Sequence, residues 1–550
     1  MSTGASADES ADGVGGAAGP DTPPAGNRPA ARGVARNTAI FSIATGLSRI
    51  AGLVREIVAS AYFATSGAFS AFTIAFQVPN VVRSLFADAA LSAAFVPVFT
   101  ELLEQNRRKD AFKLASTLFL LILAALGAIT AFFILTAGFV MPLFTHGFDA
   151  PLRDLTVGLS RVLFPIVLLL GLNGLLVGIL NAYDHFTVPA LSPLVWNGVI
   201  LAILIGTKPF FEGDQELYAY AIGVLVGTLV QFAMAIPVLR RIDFRLSLAF
   251  DLRDPRVKQV LKLMVPVTLG LGLINFNALV NSFLGALIST NAPRAIDAAF
   301  RVYMLPQGIF SVAVATVLFP ALSRLAARKD LDGLRALTSN GLRQIFLLLI
   351  PAAAITLALA TPVTRLIYEH GKFGPRDTDL VASALFWFSF SLPFAGANLL
   401  LTRTFFALRL PWITTKLAGA NLLVNVIVSA ALYRPLGIPG VVIGTAASSA
   451  FMTVAQIVVL RRELHGRLEI GETVSAVARI SLAAAALGGV SYGVWALLDA
   501  LVGRSLPGQL LSVGLAVAIG GAAYVALVLA LRVPEARQIE GLIRRRVGRE

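Results

Sequence analysis

Ser48, Arg49, Arg55 and Glu56 stand within one apolar stretch, and Asn80, Arg83 and Asp88 within the next. Arg301 lies inside a third. An arginine at the centre of a membrane helix costs roughly 2.5–3.5 kcal/mol on insertion scales. Arg49, Arg55 and Arg83 together therefore cost about 8–10 kcal/mol unless they face water, a counter-ion or a ligand. Each is several turns from the expected end of its helix, so snorkelling gives little relief. Guanidinium forks match phosphate oxygens two at a time and stay charged at any physiological pH. The chemistry implied is the binding of a di-anion in a water-filled cavity.

The elements that must position these residues are membrane helices. The chain has 550 residues, of which 57% are hydrophobic and only 14% charged, with a mean hydropathy of +0.79. A soluble protein is nearer ~25% charged and does not repeat apolar runs of about 20 residues. The fold class expected is an all-α polytopic membrane protein; the runs are continuous, which argues against a β-barrel. The net charge of +14 could suggest nucleic acid. The basic residues, however, gather between apolar runs and at the C-terminus, as topology signals and contacts for anionic lipid do. No nucleic-acid partner is expected. There is no cysteine, which removes thiolate chemistry and disulfides. The four histidines show no ligand spacing, so neither a metal nor a cofactor is expected.

Fourteen spans are expected, at about 37–64, 69–101, 111–144, 152–182, 188–208, 215–240, 256–289, 294–326, 334–366, 378–408, 411–433, 437–461, 473–499 and 508–532. The even-numbered loops are the basic ones, with Arg107, Arg108 and Lys109 after span two and Arg240 and Arg241 after span six. Both termini are therefore expected on the cytoplasmic side. A weak repeat relates spans two and eight, each with a proline inside and a basic loop after it. Two six-span lobes with a site between them follow, over 37–245 and 246–465. Residues 1–36 read as a disordered cytoplasmic tail. Residues 466–534 hold two extra helices, and 535–550 form a basic cytoplasmic tail.

On span one, Gly46, Arg49, Gly52 and Glu56 are spaced to share a face, with Arg55 about 120° away on an ideal helix. A bend at Gly52 would be needed to bring both arginines to one cavity. Glu56 reads either as half of a local salt bridge with a neighbouring arginine or as part of a gate between lobes. Asn275, Asn277 and Asn281 on span seven read as helix–helix hydrogen-bonding groups. Arg161 and Arg403 read as snorkelling or ligand-facing, without a decision between them. Arg294 reads as a loop charge between spans seven and eight.

Five stretches carry a resemblance: SRIAGLVRE (48–56), AFQVPNVVRSLFADAALSAAFVP (75–97), GILNAYDHFTVPALSPLVWN (178–197), FRVYMLPQGIFSVAVATVLFPALSR (300–324) and LIYEHGKFGPRDTD (366–379). Over about 37–532 the sequence resembles the MurJ/MviN family of lipid II flippases, within the multidrug/oligosaccharidyl-lipid/polysaccharide exporter superfamily. The resemblance implies two six-helix lobes, with two further helices forming a lipid-facing groove. It implies substrate-binding roles for Ser48, Arg49, Arg55, Asn80, Arg83 and Arg301, and Asp88 matches an acidic position in the same motif; Glu56 and Asp88 are the gating candidates. The sequence also departs from the family. Ser70 and Ser84 stand where relatives carry Asp and Arg. Asn281 and Asn425 stand where some relatives place the carboxylates of a sodium site. Phe300 replaces an acid before Arg301, leaving that arginine without its adjacent partner.

The function implied is movement of lipid II, an undecaprenyl-pyrophosphate carrying a disaccharide-pentapeptide, across the bacterial cytoplasmic membrane by alternating access. The partners implied are lipid II, membrane lipids and the cell-wall synthesis machinery. A flippase for another undecaprenyl-pyrophosphate-linked oligosaccharide is the nearer alternative. A membrane-embedded cell-wall enzyme or scaffold is the more distant one. An enzyme needs a deep acid, base or nucleophile, and only Glu56 and Asp88 read as deep carboxylates.

Overall fold

Prolines set where the long spans break. In this computed structural model, residues 28–537 are described, apart from 87, 88, 184, 243, 245, 246, 248, 249, 465 and 467. Asp88 and the tails 1–27 and 538–550 therefore lie outside the described residues. Among those described, every regular element is helical.

Span one is α1 (Arg28–Phe63), and span two runs through α2 (Gly67–Phe86) and α3 (Ala89–Glu104). Span three is α4 (Arg108–Val140), and span four divides into α5 (Ala150–Leu163) and α6 (Pro165–Ala182). α7 (Thr187–Thr207), α8 (Glu216–Arg241) and α9 (Pro255–Ile288) are spans five to seven. Span eight is α10 (Ala292–Pro306), a π-turn at Gln307–Ser311, and α11 (Val312–Ala327). Span nine is α12 (Leu331–Ala358) with α13 (Ala360–Tyr368), and span ten is α14 (Pro375–Ser389) with α15 (Leu392–Ala407). α16 (Pro411–Leu436), α17 (Ile438–Glu463), α18 (Ile470–Val502) and α19 (Leu506–Ala530) complete the set.

Proline strips the residue four before it of a helical hydrogen bond. Pro362 acts in this way on Ala358, the last residue of α12, and Pro393 on Ser389, the last of α14. The α14–α15 pair is bent by 50° there. α1 starts at Arg28, ahead of the expected 37, so residues 28–36 are helix rather than tail. That stretch is rich in alanine and arginine, with Pro29 in the first turn where its missing N–H is no loss.

Ten described helical segments are long and apolar enough to cross a membrane, or eleven with the bent pair. The other three expected spans, over α1, α2–α3 and α9, each include residues whose side chains lie outside the description. Fourteen crossings are consistent with this set.

Buried apolar residues fall into three cores. The first draws on α1 to α8 and the second runs from Leu284 to Leu468. The third joins Leu347 to α18, α19, Val533 and Ala536. α9 lies between the first two, because Val257, Val260, Leu279 and Ala286 bury in the first core while Leu284 buries in the second. The connection from α8 to α9 is strapped along α4. The Ser247 N–H donates to Ser116 Oγ at 3.0 Å, and Lys113 Nζ reaches Asp251 at 2.8 Å. The Lys113 hydrogen bond holds the Asp251 carboxyl below the usual carboxylate range. Arg256 does the same for Asp254, which caps the start of α9.

Candidate functional site

α1 presents two working faces. Ser48, Gly52 and Arg55, spaced i, i+4, i+7, face α7. Asn197 Nδ2 donates to the carbonyl oxygens of Pro193 at 2.9 Å and of Ser48 at 3.4 Å. A Cβ at Gly52 would stand 3.8 Å from the Asn197 amide. The Arg55 guanidinium lies 4.9 Å from the centroid of the Trp196 ring.

Arg49, Glu56 and Ser60 turn instead towards the second core. A Cβ at Gly308, in the π-turn of span eight, would fall 2.8 Å from Arg49 Nη1, so glycine is what lets that guanidinium lie against the span. π-turns of this kind recur at functional sites. α1 is continuous through Gly52, with no break to bring the two arginines together. Arg49 and Arg55 accordingly reach different neighbours on different faces of the helix. Gly52 belongs to the α7 face rather than to the face of Arg49.

Glu56 is not paired with an arginine of its own helix. Its Oε1 accepts from Arg294 Nη2 and lies 3.3 Å from Arg301 Nε. Arg294 Nη2 also donates to Ser60 Oγ at 2.9 Å, and its Nη1 to Asp297 Oδ2 at 2.9 Å. Arg301 Nε donates to the same Asp297 oxygen at 2.8 Å. Two carboxylates and two guanidiniums thus form a closed, neutral network. Arg294, expected as a loop charge, has 1% of its side chain exposed and stacks on Phe69 at 3.9 Å.

Three expectations need correction here. Arg294 is a buried member of the site. Asp297 is a deep carboxylate beside Glu56. Arg301 has partners despite Phe300, because on a helix the neighbour that counts is four residues back. Arg294, Asp297 and Arg301 share one face by i, i+3, i+7 spacing, a signal present in the sequence and not read.

Further ties join α1 and its following loop to the segment before α14 and to the first turn of α14. The Lys372 N–H donates to the Ala61 carbonyl at 2.8 Å. Asp377 accepts from the Thr65 N–H at 3.2 Å and also from the Thr65 hydroxyl. All these ties lie at the odd-loop ends of the helices.

Arg83 is gripped by Asn80 on its own helix, with Oδ1 accepting at 2.7 and 3.1 Å. Asn80 Nδ2 then donates to Asn275 of α9 at 3.4 Å. The other span-seven asparagines form a neutral cluster. Asn425 Nδ2 donates to Asn277 at 2.5 Å and to Asn281 at 3.0 Å, and Asn281 donates to Thr445 at 2.9 Å. This cluster borders a cavity of about 190 Å³, also lined by Gln77, Asp297 and Asn421. Arg161 is exposed on α5 and stands apart. The Arg403 guanidinium lies 5.7 Å from the Phe319 ring.

No carboxylate lies within 4 Å of Arg49 or Arg55 among the described residues. The structure therefore separates two sets of arginines: Arg294 and Arg301, neutralised between the cores, and Arg49 and Arg55, which keep their charge.

The helix arrangement defines a polytopic transporter fold. It superposes on an inward-facing MATE-family transporter of the MOP superfamily with a TM-score of 0.63 and 16% identity, over 78% of this chain and 94% of the other. A structure described as lipid II flippase MurJ in an inward closed conformation gives a TM-score of 0.74 at 23% identity, covering 90% and 99% of the two chains. The sequence then decides the family. A family profile described as lipid II flippase MurJ matches residues 59–507. The Burkholderia cenocepacia lipid II flippase MurJ is 32% identical over 62% of this chain and 67% of its own. The probable lipid II flippase MurJ of Bdellovibrio bacteriovorus is 28% identical over 90% and 95%. The chain belongs to the MurJ family.

Proposed function

We propose that this chain is a lipid flippase that carries lipid II from the inner to the outer leaflet of the bacterial cytoplasmic membrane. Arg49 and Arg55, which reach different neighbours in this state, converge with Arg83 and Ser48 on the pyrophosphate as the lobes move. Arg301 contributes through its Nη donors, since its Nε is committed to Asp297 and Glu56. The observation that carries this reading is the pair of arginines left without a carboxylate beside a network in which two others are neutralised. A di-anion supplies the missing charge, and the prenyl chain stays in the lipid.

The cycle is alternating access between two lobes. With both termini cytoplasmic, the odd-loop ends face outward, and the ties from Glu56, Ala61 and Thr65 hold that side shut. Substrate in the cavity favours the state in which those ties part, a population shift set by its differential affinity for the two states. The membrane potential resets the carrier, since one charge moved through 100 mV is worth about 2.3 kcal/mol. Complementation of a flippase-depleted bacterium tests the function. Failure of the intact chain to restore growth and precursor export, when present normally in the membrane, overturns it.

A further inference from the structure

Arg55 poses a problem that the proposed site alone does not answer. It is a buried cation with 8% exposure, and the acidic Glu56 is its neighbour in the chain. A buried guanidinium normally ends on a carboxylate. Here it does not: among the described residues no carboxylate lies within 4 Å, and Arg55 Nε is buried without a hydrogen-bond partner. Its guanidinium rests on the Trp196 ring, at 4.9 Å from the centroid.

Trp196 is itself firmly held. Its Nε1–H donates to Thr228 Oγ1 at 3.1 Å, and the Thr228 hydroxyl donates to the Val224 carbonyl at 2.8 Å. Gly227 lets α8 close on the indole, since a Cβ there would lie 3.2 Å from Trp196 Cδ1. Asn197, the next residue, fixes α7 to the Ser48 carbonyl about two turns before Arg55. The ring is thus a rigid shelf, set by two helices of the first core.

We infer that Trp196 is the positioning residue for Arg55: its aromatic face holds the guanidinium away from Glu56, leaving the N–H donors for the substrate pyrophosphate. An aromatic face attracts the cation without accepting its in-plane N–H groups. A carboxylate would satisfy the charge and occupy the donors together. With the shelf removed, Arg55 falls onto Glu56 and joins the neutral network. The cavity then loses one of its two uncompensated cations, although no residue that contacts the substrate has changed. This inference rests on the proposed pyrophosphate-binding role of Arg55.

The test is a double-mutant cycle on the purified full chain, with undecaprenyl pyrophosphate in detergent as the probe and undecaprenol as the control. Trp196→Leu should weaken pyrophosphate binding about tenfold and leave undecaprenol binding unchanged. Trp196→Phe keeps a π face and should stay within about threefold of the native protein. In an Arg55→Ala background, Trp196→Leu should cost nothing further. A purely structural tryptophan would give the same loss in both backgrounds, and that result overturns the inference, as does native binding by Trp196→Leu. If Arg55→Ala itself binds normally, the assignment of Arg55 to the pyrophosphate fails first, and the two failures are told apart. Should leucine at 196 prevent folding, judged by thermal melting, Thr228→Val loosens the indole alone. It should weaken binding in the native background and not with Arg55→Ala; equal losses in the two overturn the proposal.

Discussion

Glu56 and Arg294 are 238 residues apart in sequence and meet between the two main cores, with 3% and 1% of their side chains exposed. Breaking a buried pair by removing one partner costs about 3–5 kcal/mol, because the other charge stays buried and uncompensated. Glu56→Ala and Arg294→Ala should each lower thermal stability markedly. The double variant should recover part of the loss, with a coupling energy on the order of 2–3 kcal/mol. Strictly additive losses would show that the contact does not hold this state together. If it is the outer gate, the surviving single variants should also shift towards an outward-open state, read as longer distances between spin labels at the odd-loop ends.

The asparagine cluster argues against a sodium requirement. Asn277, Asn281, Asn425 and Thr445 hydrogen-bond to one another. They offer no carboxylate where some relatives place one. Transport in reconstituted vesicles should therefore persist when sodium is replaced by choline, and fall when the membrane potential is collapsed. A strict sodium requirement would mean that neutral oxygens suffice and that the substitution has been misread.

The strap between the lobes gives a pH and salt signature. The Asp251 and Asp254 carboxyls are held below their ordinary range by Lys113 and Arg256. Groups with depressed folded pKa values contribute stability above their unfolded value, about 3.9, and lose it as pH falls through the folded value. The strap should thus be indifferent to pH between about 5 and 8 and loosen only in strong acid. Because Lys113 and Asp251 are partly exposed, salt should weaken it. Amide exchange across 244–254 checks both expectations. A rise in exchange between pH 8 and 5, after correction for the intrinsic rate, would contradict the assignment.

Topology is testable because the chain has no cysteine to give background. Gly67, the first residue of α2, is a poor probe site, since a Cβ there would meet Leu152 at 2.9 Å. Asp214 is exposed between spans five and six, and Gln105 is exposed between spans two and three. Asp214→Cys should react with an impermeant thiol reagent from outside, and Gln105→Cys should not. The reverse pattern would invert the orientation and the direction of transport.

How much of this could be read in the sequence depends on the scale at which each signal operates. Spans were legible because twenty apolar residues in a row have one physical meaning in a membrane. Their breaks were less so, since Pro306 ends a helix while Pro97 lies inside one. Arg49, Arg55 and Arg83 stood out through their insertion cost. Arg294 did not, because a charge at the edge of a span reads as loop until the helix is seen to begin at Ala292. Asp297 was passed over because Arg301 was compared with its chain neighbour Phe300, not with its helical neighbour. Trp196 carried no signal at all: only the packing of α7 on α1 brings it under Arg55.

The arginines themselves give the sharpest prediction. Lysine is a point donor and cannot make the bidentate fork that a pyrophosphate invites. Arg49→Lys and Arg83→Lys should each lose much of the function, and the alanine variants essentially all of it. Membrane levels should stay normal, because removing a charge from a span eases insertion by about 2.5–3.5 kcal/mol. Arg161→Ala should be mild, since that residue is exposed away from the network. Arg403→Ala should also be mild, because Arg403 rests on Phe319 rather than in the charged network. Gly308→Ala adds a control that leaves every charge in place. Its methyl would sit 2.8 Å from Arg49 Nη1, so the guanidinium must shift, and activity should fall partway towards that of Arg49→Lys. The measurement is complementation of a flippase-depleted strain, with membrane protein quantified alongside. Growth supported by normally inserted Arg49→Ala and Arg83→Ala variants would dispose of the anion cavity, whatever the family of the chain.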